Sequence, residues 1–379
     1  MTGPASWRPT LLHPTFWPEV RRGSERAIRL LADGLLADGH RPRLVCGHPG
    51  RTVRRDVEDG LAVVRWPRPR PVTAYQWRTR LDPLAAHLPL AALGLLADPG
   101  DVLHAFYPTD ALAAARVARL RARTGRPPAV VHSVMGPPDR AWAVALRGRR
   151  EGIVDVARGG ATVTTLSRFA ADRLWRTFAV RSVIVPPPVD LDAFTPGDDD
   201  GRHDDPTLLF ASDPDAPAKR VGLLLDALAL LRRRRPDLRL VLQRPRSDAD
   251  RAALDRVPGV RTVDLDDRTA LRDAYRRAWV TVLPSENEAF GLVVAESLAC
   301  GTPAVAFAGE GPAEVVTGPD VGRIAPTPDP DALARAIDDA LESATDPATR
   351  DRCRAAVGHL GVADHARRVV DLYAAALGR

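Results

Sequence analysis

At about 150 residues per domain, a sequence of 379 residues predicts two domains and excludes a single small binding module. Its 45% apolar and 27% charged residues match an ordinary globular enzyme and exclude a disordered tail or a collagen-like fibre. The 54 Lys and Arg against 48 Asp and Glu leave a net charge of +6, which favours anionic small molecules or a membrane surface slightly and argues against nucleic acid. Met1 to Trp17 lack a basic region followed by an apolar run, so no signal peptide is expected. Short apolar runs at Arg43–Cys46, Ala62–Trp66, Val102–Phe106, Ala129–Val134 and Val163–Leu166 predict strands. Between them, Ser24–Leu36 and Asp110–Leu120 carry apolar residues at helical spacing. Leu88–Ala97 is about half as long as a membrane span and carries Pro89 and Gly94, so it reads as a buried helix. Alternation of strand and helix means a parallel sheet covered on both faces.

After Val183–Val185 come three prolines, 186 to 188, and then the acidic stretch Pro196–Pro206, the best linker candidate. Asp198, Asp199 and Asp200 with His203 have metal-ligand chemistry, yet a solvated linker is the simpler reading. A second series of strands follows at Thr207–Ala211, Leu238–Leu242, Val260–Val263, Val280–Leu283 and Ala304–Phe307. The fold class is therefore α/β, with two doubly wound parallel-sheet domains and a cleft between them. The expected bounds are 1–195, a linker at 196–206, and 207–361. Cys46, Cys300 and Cys353 show no metal-ligand spacing and read as buried thiols in a reducing cytoplasm.

Pro284 to Pro303 carries the chemistry. A strand ends at Ser285, a loop carries Glu288, and a helix starts near Gly291 and stops at Gly301-Thr302-Pro303. Such a start offers N–H groups to an anion. Glu296 lies just over a turn further on, so two carboxylates flank an anion site, which suits a ligand with both phosphate and sugar hydroxyls. That describes a nucleotide sugar. Only one of the 54 positive residues is a lysine, Lys219, against a background of arginine fitting a GC-rich bacterial genome.

Glu288 and Glu296, seven residues between them, followed by Leu298-Ala299-Cys300-Gly301-Thr302-Pro303, resemble the signature of the retaining glycosyltransferases of family 4. The resemblance implies the GT-B fold, two Rossmann-like domains with the donor between them, and a last helix, 362–379, crossing back to the first domain. Gly23 matches the second glycine of the family's first loop, while Arg22 replaces the first. His104 and His132 fall where the family carries cleft-facing histidines, His132 as a catalytic candidate and His104 on the acceptor side. Val-Pro-Pro-Pro-Val-Asp at 185–190 resembles the turn before the linker, with Pro187 and Pro188 replacing Asn and Gly. Lys219 falls on the family's phosphate-binding lysine, the loop arginine has become Ser212, and Arg220 stands where the family has glycine.

What the resemblance implies is a retaining, metal-independent hexosyltransferase, with Lys219, Glu288 and His132 catalytic and Gly23, Arg220, Phe290, Gly291, Leu292 and Glu296 binding the donor. It implies no cofactor beyond the nucleotide-sugar donor, a UDP- or GDP-sugar by default. The acceptor is a small molecule, a glycan or a lipid-linked sugar, and the enzyme is expected in the cytoplasm with at most peripheral membrane contact. Trp77, Trp142 and Tyr107 could stack on an acceptor; Arg68, Arg70, Arg78 and Arg80 could meet a charged one or form a solvated face. The alternative is a catalytically silent GT-B protein that binds a nucleotide sugar or a partner. A pyridoxal-phosphate phosphorylase needs a Schiff-base lysine, and Lys219 in a phosphate loop is badly placed for one; a nicotinamide dehydrogenase needs a G-x-G-x-x-G after a strand, which is missing.

Overall fold

The computed structural model describes residues 6–20, 23–68, 79–197 and 201–378. Arg22, Arg70, Trp77, Arg78 and Asp198 to Asp200 lie outside the described residues. The chain divides into two compact units, Met1–Pro188 with Val362–Arg379, and Val189–Gly361.

In chain order, the first unit contains β1 (Pro9–Leu12), α1 (Gly23–Ala37), β2 (Arg43–His48), β3 (Arg54–Glu58), β4 (Leu61–Pro67), α2 (Leu88–Ala97), β5 (Val102–Ala105), α3 (Pro108–Arg121) and β6 (Ala129–Val134). It continues through α4 (Arg140–Ala145), α5 (Arg149–Arg158), β7 (Thr162–Thr165), α6 (Arg168–Phe178) and β8 (Val183–Ile184). Its sheet runs β3-β4-β2-β1-β5-β6-β7-β8 and is parallel except for the β3–β4 hairpin. The second unit contains β9 (Thr207–Phe210), α7 (Val221–Leu231), β10 (Arg239–Gln243), α8 (Asp248–Asp255), β11 (Val260–Val263), α9 (Arg268–Arg277) and β12 (Val280–Leu283). After these come α10 (Leu292–Ala299), β13 (Ala304–Phe307), β14 (Gly322–Ala325), α11 (Pro330–Ser343) and α12 (Thr349–Ala356). Its sheet is parallel throughout, in the order β11-β10-β9-β12-β13-β14. The last helix, α13 (Val362–Ala376), returns to the first unit, where Gly34 of α1 lies so close that a Cβ there would sit 2.7 Å from the Ala366 Cβ.

Each sheet is covered on both faces. In the first unit, Leu11, Leu44, Val102 and Val131 pack under Ile28, Leu31 and Leu35 of α1 and Val369 and Tyr373 of α13. On the other face, Leu12, Val45 and Leu103 pack under Ala91 and Leu95 of α2 and Ala111, Ala114 and Val117 of α3. The core of the second unit joins Leu208, Phe210, Leu240 and Val282 to Leu224, Leu228, Leu333 and Ile337.

Two expectations need correction. Residues 189–195 group with the second unit rather than the first. The Arg354 guanidinium donates to the Leu191 and Phe194 carbonyls at 2.7 Å each, and Arg276 donates to the Thr195 carbonyl at 2.7 Å. Second, α2 is not a buried helix: Leu88, Ala91 and Leu95 face the core, while Leu90 and Leu93 remain 46% and 64% exposed. No helix among the described residues is long and apolar enough to cross a membrane.

Candidate active site

In the second sheet the chain order reverses between β9 and β12, which lie side by side. Loops leaving the carboxyl ends of strands at such a reversal diverge to opposite faces and leave a crevice. Three loops gather here. The first follows β9, runs through the short turn Pro217–Lys219 and enters α7 at Arg220, whose φ of 50° is left-handed. The second follows β12 and enters α10 at Gly291, with φ 83°. The third follows β13 and contains Glu310 and Gly311.

Lys219 and Glu288 form an ion pair between the first two loops, both side chains largely buried. A second pair joins Arg220 to Glu286, and the Glu286 N–H donates to the Ala218 carbonyl at 2.8 Å. Both cations expected to meet phosphate are thus held by carboxylates. Glu310, which the sequence reading passed over, fixes the middle loop: its carboxylate accepts from the Glu288 N–H at 2.9 Å, and the Gly311 N–H donates to the Glu288 carbonyl at 2.9 Å. Burial raises the Glu310 pKa, the Glu286 and Glu288 carboxylates push the same way, and the N–H donors of Asn287 and Glu288 oppose them. Any side chain at Gly311 would strike the Ala289 carbonyl, so the clamp requires glycine there.

Gly291 has its own constraint: besides the left-handed φ, a Cβ would sit 2.7 Å from Pro312 Cγ. Phe290 is buried beside it, and Leu292 opens α10, whose first N–H groups have no partner inside the helix. Glu296, one turn on, is 5% exposed and accepts from the Tyr275 hydroxyl at 3.1 Å. Ser285 Oγ is buried with no hydrogen-bond partner, a polar atom at the strand end that the sequence reading did not single out. Burial pushes the Cys300 thiol at the end of α10 up to about 12, and Cys46 and Cys353 likewise, so all three are buried neutral thiols. Ser212, in the arginine's place, is buried. Among the described residues no three His, Cys, Asp or Glu side chains gather as metal ligands.

The first unit holds the remaining candidates. Gly23 opens α1, and the carboxylate of that first turn, Glu25, is buried and accepts from Thr15 and Ser24 hydroxyls at 2.8 Å. His104 on β5 is buried; its Nδ1 shares a hydrogen bond of 2.8 Å with the Tyr373 hydroxyl and its Nε2 one of 2.7 Å with Ser133, which in turn meets Thr164 at 2.6 Å. A cavity of about 20 Å³, room for about one water, lies beside this chain, lined by His104, Ser133, Thr164 and His365 among apolar neighbours. His132 does not join it. In register, His104 pairs with Val131 and His132 with Ala105, which turns the two imidazoles to opposite faces of the sheet. His132 is fully buried with neither ring nitrogen hydrogen-bonded, and burial lowers its pKa to about 4. Tyr107 donates to Asp82 at 2.7 Å, and the Arg149 guanidinium lies 4.3 Å above the half-exposed Trp142 ring. Arg68 pairs with Glu19, and Arg80 donates to the Ala145 carbonyl at 3.3 Å.

Two family models match successive parts of the chain: "Glycosyltransferase Family 4" over residues 21–193 and "Glycosyl transferases group 1" over residues 198–357. The chain belongs to glycosyltransferase family 4. A D-inositol 3-phosphate glycosyltransferase of Kribbella flavida is 37% identical over 197 residues, 46% of each chain, so the match spans about half that relative's length. Sucrose-phosphate synthase of Thermosynechococcus elongatus superposes with a TM-score of 0.79 at 20% identity, covering 98% of this chain and 99% of its own. Anabaena HepE in complex with UDP-glucose does so at 0.72 and 14% identity, covering 97% of this chain and 100% of its own. With two parallel-sheet α/β units, this family 4 chain has the GT-B fold.

Proposed function

We propose that the chain transfers a hexosyl group from a nucleoside diphosphate sugar, a UDP- or GDP-sugar, to an acceptor hydroxyl, with retention of anomeric configuration and without a metal ion. The pairing of Lys219 with Glu288 at the strand reversal carries this reading. It puts a cation for the diphosphate against a carboxylate for the sugar, and Glu296 lies a turn away for the ribose hydroxyls. When the diphosphate takes Lys219, Glu288 is released to accept from sugar hydroxyls. The bond from the anomeric carbon to the β-phosphate oxygen breaks, and its electron pair stays on that oxygen. The acceptor oxygen bonds to the anomeric carbon from the same face and passes its proton to the departing phosphate. The charge that develops there is met by Lys219, Arg220 and the N–H groups around Phe290 to Leu292, fixed before the reaction begins. His104 and His132 are assigned to the frame of the first unit, one locked by hydrogen bonds and the other closed off from solvent.

Nucleoside diphosphate release from a panel of donors, with and without acceptors, tests the proposal and separates it from a silent nucleotide-sugar binder. Inositol phosphate belongs in the acceptor panel because the Kribbella relative is named for it. Glu288→Gln is expected to depress turnover more than nucleotide affinity, and Glu296→Ala to weaken nucleotide binding. If neither changes transfer or binding by tenfold, about 1.4 kcal/mol, the site is elsewhere. Proton NMR of the product, and an assay in excess EDTA, check retention and metal independence.

A further inference from the structure

An outward face of α2 and α3, in the first unit, takes no part in the proposed chemistry. From Pro83 to Ala97 the sequence carries no Asp, Glu, Lys or Arg, and its one histidine, His87, is buried. A helix on the surface ordinarily turns polar residues to water. In α2 the outward positions are Pro89, Leu90, Leu93 and Ala97, all exposed. Leu90, Leu93 and Ala97 fall at i, i+3 and i+7, one continuous stripe. Helix α3 lies beside α2: Ala91 and Leu95 share a core with Ala111, Ala114 and Val117, and Arg121 donates to the Leu96 carbonyl at 3.5 Å. Leu120 of α3 adds a 46% exposed apolar side chain.

Apart from Asp110, which is fully buried in the first turn of α3, the charges on the same pair of helices are all positive. Between Ala111 and Pro138 there is no Asp or Glu, and five arginines fall within Arg116 to Arg126. Arg116, Arg119, Arg123 and Arg126 are exposed, and none of them meets a carboxylate among the described residues. Elsewhere arginines are commonly paired, as at Arg8 with Asp98, Arg65 with Asp56 and Arg149 with Asp82.

We infer that this face docks on an anionic lipid bilayer, with the leucine stripe of α2 in the interfacial layer and the arginines of α3 on lipid phosphates. An amphipathic surface of leucines flanked by arginines binds in this way, through apolar burial and attraction to anionic headgroups together. Arginine suits phosphate because its planar fork donates two parallel hydrogen bonds. Charge also argues against a second copy of the chain. A two-fold contact applies the same patch to itself, which would crowd unpaired arginines together with no carboxylate to offset them.

Co-sedimentation of the full chain with vesicles tests this without reference to glycosyl transfer. The protein is expected to pellet with vesicles containing phosphatidylglycerol, to stay in solution with pure phosphatidylcholine, and to be released as salt rises. Leu90→Ser with Leu93→Ser, and separately Arg116→Gln with Arg123→Gln, are each expected to weaken binding on the order of tenfold or more. These side chains face solvent, so an unchanged thermal melt shows that each variant folds. Absence of pelleting, equal affinity for neutral and anionic vesicles, or full binding by both variants would overturn the inference. So would a dimer in solution that Leu93→Ser dissolves, which would make the face a contact between copies, or retention by an acidic protein in place of lipid.

Discussion

Arg220 shows how one side chain can be placed against its own backbone preference. A non-glycine residue in the left-handed region costs about 1–2 kcal/mol, yet Arg220 has φ 50° and ψ 45° at the entrance to α7. Its pair with Glu286 is partly exposed, and such a pair contributes about 0–1 kcal/mol. Arg220→Gly should therefore fold at least as stably as the parent, with a melting temperature equal or higher. If the guanidinium also serves the diphosphate in place of the arginine missing at Ser212, the same variant loses transfer activity, and Ser212→Arg restores much of it. Activity and stability moving in opposite directions is an outcome that a solvent-facing arginine would not produce. Glu310 allows a sharper experiment. Glu310→Ala removes the acceptor that fixes the Glu288 N–H and is expected to lower turnover on the order of tenfold. Glu310→Gln keeps an acceptor oxygen and should recover most of it. Because the Glu310 pKa is raised, its carboxylate is lost above the usual range as pH falls, and the matching acid limb of the rate profile should vanish in Glu310→Gln. Glu288 and Glu296 stand out in the sequence because their spacing follows a strand end and a helix start, and Lys219 because it is the chain's one lysine and falls on the family's phosphate-binding position. Glu310 does not: it lies 22 residues from its partner, and only the pairing of β12 with β13 brings it there.

At the scale of elements, the start of α10 is the part of the site most dependent on geometry. Gly291→Ala would add both a left-handed non-glycine residue and a Cβ at 2.7 Å from Pro312. A loss of about 2–4 kcal/mol is expected, measured by urea or thermal unfolding, with donor binding weakened in whatever folds. Ala129–Val134, Val280–Leu283 and Ala304–Phe307 were legible to the residue, since a strand covered on both faces is rich in consecutive apolar residues; the edge strand Val260–Val263, with only Val260 buried, was matched as well. Three strands were missed, for different reasons. β3, Arg-Arg-Asp-Val-Glu, is an exposed edge that needs no apolar residue and is held by pairing with β4 through the Asp59-Gly60 turn, whose φ values are both positive. β1 is four residues long, follows Arg8 and opens on Pro9, too short to stand out as an apolar run, although every one of its residues is buried. β14 opens with Gly322, where a Cβ would strike the Ala304 carbonyl, so close approach rather than hydrophobicity marks it. The α2 helix failed in the opposite sense. An apolar run cannot say which of its faces is covered, and its uniform composition hid the exposed stripe at Leu90 and Leu93.

Across the whole molecule, buried histidines are shared unequally between the two units, and this predicts an order of unfolding. His104, His132 and His365 all lie in the first unit and are buried. Burial lowers the pKa of His132 and of His365 to about 4 and that of His104 well below the ordinary value. All three are neutral in the fold, whereas in the unfolded chain they take up protons once the pH falls below about 6.5. The unfolded state then binds more protons than the folded one, so stability is complete above about pH 6.5 and falls as pH drops towards 4. For His132 and for His365 the loss over that window is on the order of 3 kcal/mol each, a large share of the about 5–15 kcal/mol that holds an ordinary domain together. In the second unit Glu310 works the other way, because a carboxyl whose pKa is raised by folding is favoured by acid. Differential scanning calorimetry from pH 7.5 down to about 4.5 is expected to show one transition splitting into two, with the earlier one moving down steeply. Tryptophan fluorescence should follow the earlier one, since Trp7, Trp17, Trp66, Trp142 and Trp175 lie in the first unit against Trp279 alone among the described tryptophans of the second. His132→Gln and His365→Leu each remove one titrating ring of the same lowered pKa, and each should flatten the pH dependence by a similar amount. Two units melting together at every pH, or the second melting first in acid, would show that the buried imidazoles do not set the acid limit of the fold.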